Sequence, residues 1–313
     1  MIQHFQNILA YVDTRTEAHE ALDWAATLAE RNEARLRLVD VLPHFPWHVR
    51  VAMSDHDHVR ELLLTEKRDK LDALAEPLRA KGVDVTTAAL SGHTSVEIIR
   101  EVLRNHHDLV VRLTKGPLSP REGFFGITSR RLLHQCPCPL WLVKPHTAPR
   151  FDHVLVAVDS APHHEAQPEL SGELVELAKS ICQVEGGKLD VVHAWEMYAA
   201  SVLHLKMDEE QIAQLEKDVR ATVEQSLDKL LSVHGMSIRD DNVHLVKGDP
   251  IHAIVNFLDT HEVDLLIMGT VARSGISGIL MGNTAEQILS RINCSLLTLK
   301  PKNFVSPVSL EDR

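Results

Sequence analysis

The chain matches itself, and that repeat limits the folds open to it more than any other feature. Compared with the segment 156 positions further on, Asp108-Leu109 falls on Asp264-Leu265 and Lys144-Pro145 falls on Lys300-Pro301, with no gap between them. Ten of the 38 positions in this window are identical: Asp108, Leu109, Thr114, Gly126, Thr128, Leu133, Cys138, Leu140, Lys144 and Pro145, each with its partner. Gly92 and Gly248 carry the same register backwards. Ile8–Asp13 aligns with Val154–Asp159 at the smaller offset of 146. The second copy is therefore ten residues longer between its first and third strands, and the polar stretch Ser160–Ser171 is a place for part of the excess. Two matching blocks in the same order point to duplication. The expected layout is a first domain over 1–146, a second over 151–302 and a tail over 303–313, joined by a short proline-containing linker.

Each copy alternates near-continuous apolar runs with amphipathic segments. That is the pattern of a parallel sheet covered on both faces. In the first copy a strand ends at Asp13, and a helix follows with Ala18, Ala21, Leu22, Ala25, Leu28 and Ala29 on one stripe. Strands are expected near Leu36–Val41, Val83–Leu90, Leu109–Leu113 and Leu140–Val143. A long helix carries Leu64, Leu71, Leu74 and Leu78, and a short one covers Val96–Arg104. In the second copy the long helix carries Ile212, Leu215, Val219, Val223, Leu227 and Leu230, with Gly235 just past its end as a stop signal. Strands follow at Leu265–Met268 and Leu296–Leu299.

Composition excludes several functions. Net charge is −11, and residues 1–150 hold 20 Lys and Arg against 19 Asp and Glu, so the acidity lies in the second copy. An acidic chain without a basic stripe suits neither duplex DNA nor anionic membranes. Aromatic residues make up only 4% of the chain, too few for platforms that stack single-stranded nucleic acid. Met1–Tyr11 has no basic start or long apolar run, and no stretch is long enough for a membrane span, so a cytoplasmic location is expected.

In a sheet of this kind ligands sit beyond the carboxyl ends of the strands, where the strand order reverses. The candidate turns follow strand one, at Asp13 and Asp159, and strand four. The second copy's strand-four turn runs from Gly269 through Ala272, Gly275 and Gly278 to Gly282-Asn283-Thr284, and a helix is expected to start near Asn283 or Thr284. Small residues let backbone N–H groups approach an anion, and a helix N-terminus favours negative charge.

This segment resembles the nucleotide loop of the universal stress protein family, G-x2-G-x9-G-[S/T], read here as Gly269, Ala272, Gly282 and Asn283. With the Gly282–Gln287 run and the duplication, the chain resembles the tandem members of that family over almost its whole length. The resemblance implies, for each copy, a doubly wound, Rossmann-like α/β domain with a five-stranded parallel sheet of order 3-2-1-4-5. It implies pairing of the copies through their last strands, Leu140–Val143 meeting Leu296–Leu299, as an intramolecular pseudo-dimer, with a further homodimer open. It also implies a stress-response role as a binder of small molecules. ATP would bind in the second domain only, with Mg as its sole accompanying metal, at Asp159, Ala194, Met268, Gly269, Ala272, Gly282, Asn283 and Thr284. Two residues depart from the pattern. Ala272 stands for Gly, and its Cβ narrows the phosphate path if φ is positive there. Asn283 stands for Ser or Thr, and its amide can still donate to a phosphate oxygen.

The first copy's turn departs further. Leu113 replaces the first glycine and Ile127 the hydroxyl residue, while Pro117 and Pro120 remove N–H donors. Arg112, Lys115, Arg121, Arg130 and Arg131 offer charge alone. A pocket that keeps its place but loses phosphate chemistry could instead hold an apolar or lipid-like molecule, the alternative for either copy. A slow nucleotide hydrolase is a third reading, but it has no base-and-nucleophile pair. The chain lacks a G-x-S-x-G elbow and a G-x-G-x-x-G turn after strand one, so no catalytic residue is assigned. Asp55-His56-Asp57-His58 reads as a solvated turn before the long helix, because neighbouring residues on a helix cannot converge on one ion. Cys136-Pro137-Cys138 is one residue short of C-x-x-C and has no second pair, so no metal site is assigned.

Overall fold

The computed structural model describes residues 5–16, 19–48, 55–114, 126–145, 150–160, 168–197, 207–270, 288 and 291–310. Backbone contacts divide the chain into two compact units. The first is Met1–Arg150 with Ser295–Thr298 and Asn303–Arg313, and the second is Phe151–Cys294 with Leu299–Lys302. Among the described residues no helix is long and apolar enough to cross a membrane.

In the first unit β1 (Asn7–Tyr11), β2 (Arg35–Leu42), β3 (Val85–Ser91), β4 (Leu109–Leu113) and β5 (Leu140–Val143) form a parallel sheet of order β3-β2-β1-β4-β5. Four helices cover it: α1 (Glu20–Asn32), α2 (His56–Ala80), α3 (Thr94–Asn105) and α4 (Gly126–Gln135). Side chains alternate between faces along each strand. Trp141, in register with Val111, stacks on Trp24 of α1 with ring centroids 5.7 Å apart. On the opposite face Arg37 of β2 pairs with Glu101 of α3. The strand formed by Ser295–Leu299, β10, pairs antiparallel with β5, with Leu296 opposite Leu142 and Thr298 opposite Leu140.

The second unit repeats the plan with β6 (His153–Ala157), β7 (Lys188–Trp195), β8 (Val243–Lys247) and β9 (Leu265–Gly269), in the parallel order β8-β7-β6-β9. Its helices are α5 (Pro168–Glu185), α6 (Glu209–Ser232) and α7 (Pro250–Thr260). Asp208 and Gln211 close a capping box at the start of α6, and Gly235 takes φ 68° just beyond its end. The helix expected near Asn283 lies outside the described residues.

Strand register shows where the second copy is longer. Leu9 faces Arg37 and Leu155 faces Asp190, so Arg37 corresponds to Asp190. Val39 faces Ala88 and Val192 faces His244. Seven residues are thus added between the first and second strands and three more before the third.

The shared residues have shared structural roles. The Asp108 carboxylate accepts the backbone N–H groups of Gln6 and Asn7, and the Asp264 carboxylate accepts those of Asp152 and His153. Gly92 and Gly248 both have positive φ, 150° and 130°, and their N–H groups donate to the carbonyls of Leu42 and Trp195.

One apolar stripe differs from expectation. The buried residues of α2 are Lys67, Leu71 and Ala75, while Leu64, Leu74 and Leu78 are only half-buried. Lys67 faces the sheet because a buried carboxylate, Asp40, waits there. His56, Asp57 and His58 also sit inside the first turn of α2 rather than before it.

Candidate functional site

The two units present the same strand ends with different chemistry. In the second unit Val158, Asp159 and Ser160 follow β6. The Asp159 N–H donates to the Ser171 hydroxyl at 3.1 Å, and that hydroxyl donates to the Asp159 carbonyl at 2.8 Å. The turn is thereby tied to the start of α5. Met268 of β9 is buried and stands in register with Ala157, two residues before Asp159. Gly269 ends that strand. A Cβ there would lie 3.1 Å from Cδ2 of Leu170, so close packing by α5 accounts for this glycine. Ala194 lies on β7, the neighbour of β6, opposite Val246. Asp159, Ala194, Met268 and Gly269 therefore gather at the carboxyl ends of three adjacent strands. Ala272, Gly282, Asn283 and Thr284 lie outside the described residues.

Two hydroxyls that sequence reasoning passed over border this place. Ser160 Oγ and Thr270 Oγ1 are buried, with no hydrogen-bond partner among the described residues. A buried hydroxyl without a partner loses its hydration with no compensation, and that favours a ligand that supplies one. The identity of Thr114 and Thr270 across the repeat was the signal available for the second. His193, buried on β7, approaches the Val158 carbonyl through Nδ1 at 2.9 Å. None of the described residues placed at this strand end is a lysine or arginine.

In the first unit the equivalent strand ends hold ionic side chains. Asp13 is gripped by Arg15, with Oδ2 2.7 Å from Nη2 and Oδ1 2.9 Å from Nε. These hydrogen bonds hold the Asp13 carboxyl below the usual range and raise the Arg15 guanidinium. Asp40, the counterpart of His193, is 1% exposed. Its Oδ2 accepts the Thr14 hydroxyl at 2.6 Å, the Thr14 N–H at 3.0 Å and the ammonium of Lys67. Arg112, the counterpart of Met268, is also buried, its guanidinium 5.3 Å from the centre of the Tyr11 ring. Sequence reasoning missed Asp40 and Lys67. A lysine on the inner stripe of α2, together with a charged residue in an apolar strand, was the readable sign. Arg130 and Arg131 are exposed, and Lys115 and Arg121 lie outside the described residues.

Among the described residues no group of three His, Cys, Asp or Glu could hold a metal ion. Cys136 and Cys138 have sulfurs 3.6 Å apart, and Cys294 is buried ahead of β10.

A sequence model of the Universal stress protein family matches residues 4–144 and again 150–300. Universal stress protein E of Escherichia coli K12 is 27% identical over 317 residues, covering 98% of each chain. The Universal stress protein E homolog of Haemophilus influenzae is 26% identical, covering 95% of this chain and 98% of its own. Among solved structures, a functionally unknown protein from Pseudomonas aeruginosa PAO1 shares the fold with a TM-score of 0.75 and 23% identity, covering 96% of this chain and 94% of that one.

Proposed function

Because the chain belongs to the universal stress protein family, we propose that it is a cytoplasmic stress-response protein whose second unit binds an adenine nucleotide, ATP being the candidate. The observation that carries this reading is the pair of buried hydroxyls, Ser160 Oγ and Thr270 Oγ1, that have no hydrogen-bond partner among the described residues and flank the point where strand order reverses between β6 and β9. Asp159 would meet the ribose and adenine, Ala194 and Met268 would pack against the base, and the turn from Gly269 through Ala272 to Gly282, Asn283 and Thr284 would receive the phosphates. Mg would come with the nucleotide and neutralise phosphate charge. We assign no catalytic residue.

Calorimetry of the full chain with MgATP at millimolar concentration tests the reading, together with native mass spectrometry of protein purified without added ligand. Saturable binding that is lost in Asp159→Ala supports it. Absence of heat, together with a retained mass that matches no nucleotide, overturns it. One observation favours a second reading. Leu170 packs against Gly269 beside the buried Met268, giving the site an apolar wall. A retained mass in the range of an acylated compound would make an apolar ligand the better assignment.

A further inference from the structure

The turn between α4 and β5 reads Cys136-Pro137-Cys138-Pro139. A residue before a proline is pushed out of the helical region, and both cysteines stand before one. Accordingly α4 stops at Gln135, and the Cys136 N–H makes a last donation to the Leu132 carbonyl at 2.8 Å. On the other side the Pro139 carbonyl accepts the Val110 N–H at 3.0 Å, which fixes the chain to the start of β4. The turn is thus held at both ends, and the ring of Pro137 sets φ between the two cysteines. Their sulfurs lie 3.6 Å apart, in van der Waals contact and close enough for one thiol to donate to the other.

The two thiols differ in access. Cys136 is fully buried and Cys138 is partly exposed. The repeat shows which of them is shared. Cys294 corresponds to Cys138, whereas Ile292 stands 156 positions on from Cys136. Both Ile292 and Cys294 are buried. The second unit therefore has one enclosed thiol at this turn, and the first has two in contact with an opening to water. The turn also lies at the amino end of β5, away from the carboxyl ends where a ligand is sought.

We propose that Cys136 and Cys138 form a reversible redox site, oxidised to a disulfide by small-molecule disulfides that reach Cys138 from solvent. Cys138 Sγ loses its proton and attacks one sulfur of the small disulfide. The bond between the two small-molecule sulfurs breaks, and one leaves with the electron pair and takes up a proton. Cys136 Sγ then loses its proton and attacks Cys138 Sγ from inside. The mixed disulfide breaks, and the second small thiol leaves in the same way. Two protein thiols are oxidised to one disulfide, and one small disulfide is reduced to two thiols. An exposed attacking sulfur beside a buried resolving one is the order this exchange needs. A disulfide across a single intervening residue closes a ring too tight for relaxed geometry, and strained disulfides are readily reduced again. The pair suits a transient oxidation and not a permanent brace.

The probe is oxidised glutathione at millimolar concentration, added to the reduced full chain. The reaction is quenched with acid, the protein is unfolded and alkylated, and peptides are read by mass spectrometry. In wild type the peptide holding Cys136 and Cys138 should be two hydrogens lighter and closed to alkylation, while Cys182 and Cys294 are alkylated as thiols. Reduced glutathione in excess should restore both thiols. Cys136→Ala should stop at one glutathione on Cys138, because nothing resolves it. Cys138→Ser should slow loss of thiol from this turn by about tenfold or more, since Cys136 alone is closed to solvent. The proposal is overturned if wild type keeps both thiols open to alkylation, if it stops at the mixed disulfide, or if Cys138→Ser reacts as fast as wild type.

Discussion

The two units share a backbone plan and differ in what they put at the mouth of the sheet. At the second-strand position the first unit has Asp40, paired with Lys67 and accepting the Thr14 hydroxyl, and the second has His193, turned to a backbone carbonyl. At the strand-four position the first has Arg112 and the second Met268. At the amino ends of the strands the situation reverses. There the first unit pairs Arg37 with Glu101, while Asp190 of the second draws His153, Lys188 and His244. Duplication thus kept the residues that hold the backbone, such as Asp108 with Asp264 and Gly92 with Gly248. It released those at the carboxyl ends of the strands. Among the described residues, the first unit sets the pairs Asp13–Arg15 and Asp40–Lys67 there. The second sets Asp159 there with the hydroxyls of Ser160 and Thr270.

The largest expected effect comes from undoing the first unit's ionic filling. Lys67→Ala leaves the Asp40 carboxylate buried with neutral donors alone, Thr14 and the Val41 N–H, and should destabilise the first unit by about 3–5 kcal/mol. Val223 and Leu227 of α6 are buried 156 positions on from Lys67 and Leu71 of α2. Asp40→His with Lys67→Val therefore installs the second unit's residues at both places and should recover most of that loss, since a buried pair is often replaceable by neutral packing. Hydrogen exchange read by mass spectrometry separates the units, because protection should fall in β1, β2 and α2 and hold in β6–β9. A single variant within about 1 kcal/mol of wild type would show that water reaches Asp40, and the contrast between the units would then be one of shape rather than charge.

A smaller effect is expected from Asp190, buried on β7. His153 Nε2 lies 2.6 Å, Lys188 Nζ 2.7 Å and His244 Nε2 2.7 Å from its oxygens. Burial opposes its ionisation. The hydrogen bonds from Lys188, His244 and His153 together outweigh burial, and its carboxyl sits below the usual range. A folded-state pKa below the unfolded one gives stability that is complete above the unfolded value, about 3.9 for Asp, and lost as pH falls through the folded value. Asp190→Asn should therefore destabilise the second unit by about 2 kcal/mol at neutral pH, and the gap to wild type should narrow as pH drops below about 4. A gap that stays constant down to pH 2 would mean that Asp190 acts by packing. It would also remove the amino-end contrast with Arg37.

Much of this fold is legible in the sequence. The strand at Leu109–Leu113 has the expected ends, and the one at Leu140–Val143 also does, because continuous apolar runs bounded by polar turns admit one reading. The α2 stripe misleads because periodicity counts apolar residues, and the structure uses a lysine as one of them. Its ammonium is inside only because Asp40, 27 residues earlier, is inside as well, and no local window holds both. Strand ends read from the sequence put Asp159, Ala194, Met268 and Gly269 together, and the structure gathers them at three adjacent strands. The hydroxyls of Ser160 and Thr270 escape such reading, since whether a hydroxyl is satisfied depends on neighbours distant in sequence. Gly269 has a packing reason beside its place in the motif, since a Cβ there would lie 3.1 Å from Cδ2 of Leu170.

The smallest expected effect tests whether the retained positions are as equivalent as their roles imply. Gly92 and Gly248 follow the third strands, and each donates its N–H to the end of the second strand while holding a φ that side chains avoid. An added Cβ at Gly248 meets nothing within 4 Å, so Gly248→Ala carries backbone strain alone, about 1 kcal/mol. At Gly92 the Cβ would lie 2.7 Å from Cγ of Glu97, whose Oε1 accepts Arg100 Nη1 at 2.8 Å. Gly92→Ala must displace that side chain and loosen its half-buried pair with Arg100, adding about 0.5 kcal/mol. Urea unfolding of the two variants, assigned to each unit by hydrogen exchange, should place Gly92→Ala below Gly248→Ala. Equal losses would show that Glu97 swings aside freely, leaving backbone conformation as the whole reason these two glycines outlasted the divergence around them.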